Sequence, residues 1–340
     1  MISTAPLRVA CIGAGYFSQF HYGAWVRIDG VTLVGSADQN LSAAQATGLP
    51  AFDQLETMLD RTKPDILDII LPPSGHADAI RTAIAARIPT VICQKPFCTD
   101  LAQATAITAE AEAAGTTVII HENFRFMPWY RTIKTAMNAG DIGTVLQATF
   151  RLRPGDGQGP NAYLDRQPYF QTLPQLLIHE TGVHWVDTFR YLLGNPDAVY
   201  ADLRRVNPAL AGEDAGFVLF DHPNGVRALF DGNRLLDHAA DNHRRTMGEA
   251  LVEGTEGTLT LLGDGSVSLR KFGEQSSLDI LGPDSWTGFG GDCVHALQTH
   301  VVSGLKHGKE PENTARDYLT VIRIRDAIYK SAQSGAKTRI

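Results

Sequence analysis

Lys95, Glu180 and His184 are the residues of this 340-residue chain best suited to moving a proton at a small-molecule hydroxyl. Lys95 stands between Gln94 and Pro96, directly after the apolar run Thr90-Val91-Ile92-Cys93. A lysine at a strand end is usually a solvated surface group. Placed against a substrate, its ammonium would stabilise a developing alkoxide by charge and hydrogen bonding. Pro96 biases it away from helical geometry. Glu180 and His184 are four residues apart in a segment that reads as helix, so their side chains are expected on one face. An acid and an imidazole so placed form a proton-transfer pair, an ordinary surface pair, or two metal ligands. Further ligands at recognised spacings do not occur in the sequence, and no metal is expected. In the proton-transfer reading His184 is the general base, because imidazole titrates near working pH, and Glu180 orients it or supports its cationic form.

A second constellation would hold the partner for such chemistry. Gly13-Ala14-Gly15-Tyr16-Phe17-Ser18 follows the strand-like Arg8–Ile12 and opens a helical segment. The first glycine permits a tight turn, the second lets backbone approach a pyrophosphate at a helix N-terminus, and Ser18 is small enough for helix–strand packing. Asp38 ends the next strand, 23 residues beyond Gly15. A carboxylate there can accept hydrogen bonds from adenosine ribose hydroxyls; the plain alternative is a cap on a helix starting near Leu41. Gln39 and Asn40 bring no arginine for a 2′-phosphate, so NAD is expected over NADP. With a nicotinamide as hydride acceptor, carbinol oxidation needs only a base and an alkoxide stabiliser, the roles open to His184 and Lys95.

The elements that must position these groups change character along the chain. Apolar runs at 8–12, 31–37, 66–71, 90–93 and 117–120 alternate with helical patterns, which implies parallel βαβ units in a doubly wound sheet. After about Asn123 the pattern differs. A strand at 143–152 precedes a Gly- and Pro-rich loop and a long helix from Leu173 to Leu193, ending at Gly194. Strand-like runs near 199–206, 214–220, 226–231, 249–253, 257–262, 267–272 and 277–281 follow without helices between them, and two helices fill 292–334. The fold class is therefore α/β plus α+β: a dinucleotide-binding domain at 1–123, then a domain at 124–340 on an open, mostly antiparallel sheet, serving substrate binding and oligomerisation. A sheet face left uncovered by its own chain points to a homodimer or homotetramer. The loop from Arg153 to Phe170, with Asn161, Tyr163, Asp165, Arg166, Gln167 and Tyr169, has the polar and aromatic mix that suits a hydroxylated ring.

Composition limits the partners. A net charge of −7 without a basic stripe argues against nucleic acid. Long apolar stretches of membrane-spanning length are absent from the sequence, and Met1–Pro6 has no secretory pattern. Cys11, Cys93, Cys98 and Cys293 form neither a disulfide framework nor a zinc pattern, which favours a reducing, cytoplasmic setting.

Taken in order, the glycine loop with Asp38, Leu71-Pro72-Pro73-Ser74-Gly75-His76, Gln94-Lys95-Pro96, Asn123-Phe124-Arg125-Phe126-Met127-Pro128, Glu180–His184 and Gly254-Thr255-Glu256-Gly257 resemble the glucose–fructose oxidoreductase, inositol dehydrogenase and rhizopine-catabolism (Gfo/Idh/MocA) family across essentially the whole chain. The resemblance implies an N-terminal Rossmann domain, a C-terminal α+β domain, and hydride exchange between NAD(P) and a sugar, inositol or related polyhydroxylated compound. It maps the family's E-K-P lysine onto Lys95 and its D-x-x-x-H pair onto Glu180 and His184. It places Gly13, Gly15, Tyr16, Phe17, Asp38, Pro72, His76, Gln94, Lys95 and Asn123 along the dinucleotide. Gln94 replaces the usual glutamate and Glu180 the usual aspartate, which loosens the transferred geometry. Two alternatives share the scaffold: an NAD-dependent glycosidase using transient oxidation, and a non-catalytic dinucleotide or sugar sensor. Retention of the lysine and histidine weighs against the sensor.

Overall fold

The computed structural model describes residues 5–340. They divide into two compact units. The first runs to Asn123 and takes in Val294–Ile322; the second holds Phe124–Cys293 and Arg323–Ile340.

The first unit is a parallel sheet of β1 (Leu7–Ile12), β2 (Val31–Ala37), β3 (Ala51–Phe52), β4 (Ile66–Ile69), β5 (Thr90–Gln94) and β6 (Thr117–His121). Helices α1 (Ser18–Trp25), α2 (Leu41–Gln45), α3 (Leu55–Thr62), α4 (His76–Ala85) and α5 (Leu101–Ala114) alternate with the strands. Val9, Ala10, Cys11, Ile66, Leu67 and Ile92 are fully buried, as strands covered on both faces require. The strand order is β3-β2-β1-β4-β5-β6. Chain direction across the sheet reverses between β1 and β4, so the loops leaving those strands diverge and open a crevice at their C-terminal ends. Gln54 is the N-cap of α3.

The second unit begins with a 3₁₀ turn at Phe124–Phe126 and α6 (Pro128–Ala139), then β7 (Val145–Leu152). After α7 (Val183–Leu193) come β8 (Ala198–Arg204), β9 (Ala215–Asp221), β10 (Arg227–Asn233), β11 (Gly248–Gly254), β12 (Gly257–Leu261), β13 (Val267–Lys271) and β14 (Leu278–Leu281). The tail supplies α8 (Cys293–His307), α9 (Ala315–Ser334) and β15 (Thr338–Arg339). The sheet runs β14-β13-β12-β11-β7-β10-β9-β8-β15 and is antiparallel except where β7 meets β10. Alternation along its strands buries Phe150, Val218, Phe220, Phe230 and Val252 on one face. Trp185 of α7 stacks on Phe150, with ring centroids 4.2 Å apart. Tyr200, Phe217 and Leu219 stand exposed on the other face.

Two expectations need correction. Residues 294–322 pack with the first unit, not with the second domain. Asn313 and Thr314 cover the free edge of β6: the Ile120 amide donates to the Asn313 carbonyl at 2.8 Å, and Ile119 bridges to Thr314. Asn313 Nδ2 donates to the Glu122 carbonyl (2.8 Å), and the Tyr318 hydroxyl donates to the buried Glu122 carboxylate (3.0 Å). An unpaired edge strand is costly to leave open, and a distant segment closes it. The long helix from Leu173 is also not formed as expected. A 3₁₀ turn occupies Pro168–Thr172, Leu177–Gly182 is π-helical, and α-helix starts only at Val183. Pro174 disfavours helix at Leu173. The Glu213 carboxylate then takes the Leu176 and Ile178 amides, each at 3.2 Å, and its carbonyl takes that of Leu177 at 2.9 Å.

Candidate active site

The glycine loop has the geometry of a phosphate cradle. Gly13 sits at φ +104°, and a Cβ there would lie 2.3 Å from the Ile70 carbonyl oxygen, so no other residue fits. A Cβ on Gly15 would meet nothing within 4 Å, which leaves open space beside the backbone just before α1. Ser18 is buried and its hydroxyl donates to the Gly15 carbonyl at 2.7 Å, bracing the turn. Asp38 reaches this loop from the end of β2: one carboxylate oxygen accepts the Ala14 amide and the other the Asn40 amide, both at 2.8 Å. The cap on α2 comes from Asn40, whose side chain accepts from Ser42, so Asp38 is not the helix cap. Tyr16 is exposed beside the loop, while Phe17 packs against Phe20 and His21.

The other residues expected along the dinucleotide lie at the C-terminal ends of β4, β5 and β6 or just beyond. Pro72 is exposed. His76 is fully buried, with Nε2 2.8 Å from the Leu71 carbonyl, and desolvation pushes its pKa down to about 4. Its ring braces the turn after β4. Lys95 is half-buried and joined to Pro96 by a cis peptide bond, and its amide donates to the buried Gln94 side chain. Asn123 is buried, and its Nδ2 has no hydrogen-bond partner among the described residues. The open cradle at Gly15, the carboxylate at the end of β2 and this orphaned donor fit a nicotinamide dinucleotide: Gly13–Phe17 for the pyrophosphate, Asp38 for the ribose, Asn123 for an acceptor further along.

In the second unit His184 lies on the first turn of α7, and its ring stacks on Phe124 with centroids 3.7 Å apart and planes 3° from parallel. Asp187, one turn on, forms a buried two-pronged pair with Arg125 at 2.6 and 2.7 Å. These contacts fix both the helix and the plane of the imidazole. Glu180 sits in the π-helical turn, half-buried. Such a turn closes i→i+5 bonds, so four-residue spacing no longer sets Glu180 and His184 in one stripe, and π turns concentrate at functional sites. Gly182 permits it: a Cβ there would lie 3.0 Å from Ile178 Cδ1 and 3.3 Å from the Leu177 carbonyl. Partial burial and the Glu180 carboxylate both push the Tyr169 phenol up.

A buried ionic cluster beside this turn was not visible in the sequence. Arg234, immediately after β10, donates to Tyr163 Oη (2.6 Å), Thr181 Oγ1 (2.5 Å) and Asp156 Oδ2 (3.0 Å). Arg166 shares the same Asp156 oxygen at 2.5 Å. Burial works against the Asp156 carboxylate, but the two guanidinium groups outweigh it and hold its pKa below the usual range. Of the expected loop residues, Tyr163 is thus a core member and Arg166 an ion-pair partner, Gln167 is half-buried, and Asn161, Asp165 and Tyr169 are exposed. Among the described residues, no three His, Cys, Asp or Glu side chains gather as a metal site. No helix among them is long and apolar enough to cross a membrane.

The chain is similar in sequence and fold to known oxidoreductases. Residues 7–122 match the NAD-binding Rossmann fold of the GFO/IDH/MocA oxidoreductases, and residues 130–260 match a C-terminal domain of the same group. A D-apiose dehydrogenase of Paraburkholderia graminis is 31% identical over 336 residues, covering 96% of this chain and 88% of that protein. An NADP+-dependent D-xylose 1-dehydrogenase of Haloferax volcanii is 27% identical over 331 residues, covering 90% of this chain and 91% of its own. The crystal structure of an oxidoreductase from Agrobacterium radiobacter, in complex with NAD+, L-tartaric acid and magnesium, has a TM-score of 0.89 at 25% identity, covering 98% of both chains.

Proposed function

The chain belongs to the GFO/IDH/MocA family of NAD(P)-dependent oxidoreductases, dehydrogenases acting on CH–OH groups of sugars and polyols, and from that membership we propose that it oxidises a carbinol of a small free sugar with NAD. The observation that carries the choice of NAD is Asp38. Its carboxylate is held at the glycine loop by two backbone amides, keeps acceptor capacity for two ribose hydroxyls, and would repel a 2′-phosphate.

NAD supplies the hydride acceptor when bound. Lys95 donates to the substrate hydroxyl oxygen and stabilises negative charge as it develops there. His184 accepts the hydroxyl proton, its ring plane set by Phe124. Glu180 acts as the supporting carboxylate in the π-helical turn. In reduction each role reverses. The polar groups of Arg166, Gln167 and Tyr169 support a hydroxylated substrate, and D-apiose and D-xylose, from the names of two relatives, are the first compounds to try. A panel of these sugars, inositols and sugar acids, assayed for NADH formation, tests the reading. Turnover of a glycoside with no net NADH would refute it in favour of transient-oxidation chemistry.

The exposed sheet face supports a homodimer or dimer of dimers. Tyr200, Leu219, Leu229, Thr149 and Leu251 form one cross-strand row through β8, β9, β10, β7 and β11. The adjacent row, Asp202, Phe217, Asp231, Arg151 and Glu249, carries both signs of charge, so a two-fold copy can complement itself. All four cysteines are buried free thiols, which supports a cytoplasmic setting.

A further inference from the structure

A chain of buried polar side chains runs through the core of the first unit and ends on the Lys95 peptide. Asp68, in the middle of the sheet, and His21, on α1, are both fully buried, and Gln94 is nearly so. Asp68 Oδ2 lies 2.8 Å from His21 Nδ1 and 2.7 Å from Trp25 Nε1. Gln298 Nε2, from α8, approaches the same oxygen at 3.5 Å. His21 Nε2 is 2.7 Å from Gln94 Nε2, and Gln94 Oε1 accepts the Lys95 amide at 3.0 Å. The His121 ring lies over His21 at 4.1 Å, with its Nδ1 3.5 Å from the same Gln94 nitrogen.

Each link has one polarity. A backbone amide can only donate, so the oxygen of Gln94 must face Lys95 and its nitrogen must face His21. His21 Nε2 is then an acceptor, and its proton sits on Nδ1, where the Asp68 carboxylate receives it. The other buried positions of β1, β4 and β5 are mostly aliphatic, with Cys11, Cys93 and Thr90, all less costly to bury than Asp, His and Gln. A network that is costly to bury and has only one arrangement fixes geometry.

We propose that His21 and Asp68 are positioning residues that hold the Gln94 amide in one orientation and through it fix the peptide carrying Lys95. The catalytic consequence rests on the role assigned to Lys95 above. The network sets the first peptide beyond β5, from which the Lys95 side chain departs, and small misplacements of a catalytic group cost rate steeply.

Gln94→Met keeps the volume and removes both amide groups. It should lower kcat by about 10- to 100-fold and change the NAD Kd far less, because the Gln94 side chain, expected along the dinucleotide, is instead buried against His21 and the Lys95 amide. On a Lys95→Ala background the same change should add less than about threefold, since both act through one group. Gln94→Glu keeps an oxygen for the Lys95 amide, and a proton taken up between its second oxygen and His21 Nε2 remakes the other link, so it should recover at least about tenfold of the lost rate. Amide hydrogen exchange, read by NMR, tests the network independently of catalysis. The Lys95 amide should be protected in the native protein, exchange at least about tenfold faster in Gln94→Met and His21→Leu, and regain protection in Gln94→Glu. Unchanged exchange in Gln94→Met overturns the network. Full multiplication of its kcat loss on Lys95→Ala overturns positioning through Lys95. Native turnover by Lys95→Ala overturns the catalytic consequence together with the assignment of Lys95, and the exchange result then decides whether the network exists.

Discussion

Asp38→Ala is expected to weaken NAD by roughly 30- to 700-fold and to change NADP affinity little. Each carboxylate oxygen can accept two hydrogen bonds. One site on each is taken, by the Ala14 amide and the Asn40 amide, both at 2.8 Å. One site on each remains, matching the two hydroxyls of an adenosine ribose. Hydrogen bonds to a charged group contribute about 1.5–3 kcal/mol each. Asp38 is only half-buried, so water recovers part of this on removal. A net loss of about 2–4 kcal/mol gives the stated range at 1.4 kcal/mol per factor of ten. For NADP the carboxylate would face a phosphate, and removing it relieves repulsion while forfeiting little. Asp38→Asn separates the two jobs of the residue: its oxygen still accepts the Ala14 amide and holds the loop, but the charge is gone, so NAD should weaken by an intermediate amount. Calorimetric titration of both cofactors, with melting curves as a check on folding, reads all of this. Equal affinity of the native protein for NAD and NADP would refute the reasoning. So would equal weakening of both cofactors in Asp38→Ala, which would reduce Asp38 to a loop brace.

Lys95→Ala and His184→Ala should each lower kcat by roughly 10²-fold or more while NAD binding survives, with Glu180→Ala doing less; steady-state kinetics on the substrate found in the sugar panel checks this. Arg234→Met should cost about 3 kcal/mol of stability at neutral pH, near the low end for breaking a buried pair because Arg166 stays on Asp156. Because the folded-state pKa of Asp156 is depressed, its stabilisation is present above the unfolded carboxyl value and fades as pH falls through the folded one. The gap between native and Arg234→Met in urea titrations should therefore narrow as pH falls below the ordinary carboxylate range, and a gap independent of pH would show that Asp156 is not the group left unpaired. Leu219→Asp places a charge in the exposed row on the second sheet, between Tyr200 and Leu229, and light scattering should show dissociation to monomers with secondary structure intact.

The first sheet was legible in the sequence because its determinants are local. Short apolar runs such as Val9–Ile12, alternating with helical patterns and bounded by turns, read as strands buried on both faces, and Gly13 occupies a φ that no side chain tolerates against Ile70. Asp38 could be located because β1 and β2 are adjacent parallel strands, so the residue ending β2 must come beside the loop leaving β1. What tertiary structure decided has its cause far along the chain. Residues 294–322 join the first unit because the edge of β6 needs a partner, and edge status depends on the order of all six strands. The helix expected from Leu173 is shortened and opened into a π turn by Glu213, more than thirty residues away in sequence. Arg234 reads as an ordinary charged residue after a strand until Asp156, Tyr163 and Thr181 surround it. The same is true of His21 and Asp68, whose meaning lies in Gln94 at the end of another strand. Periodicity and turn chemistry act within a few residues and are written in the sequence. Burying a charge or an imidazole is tolerable only when its partners arrive from elsewhere, and only the folded chain brings them together.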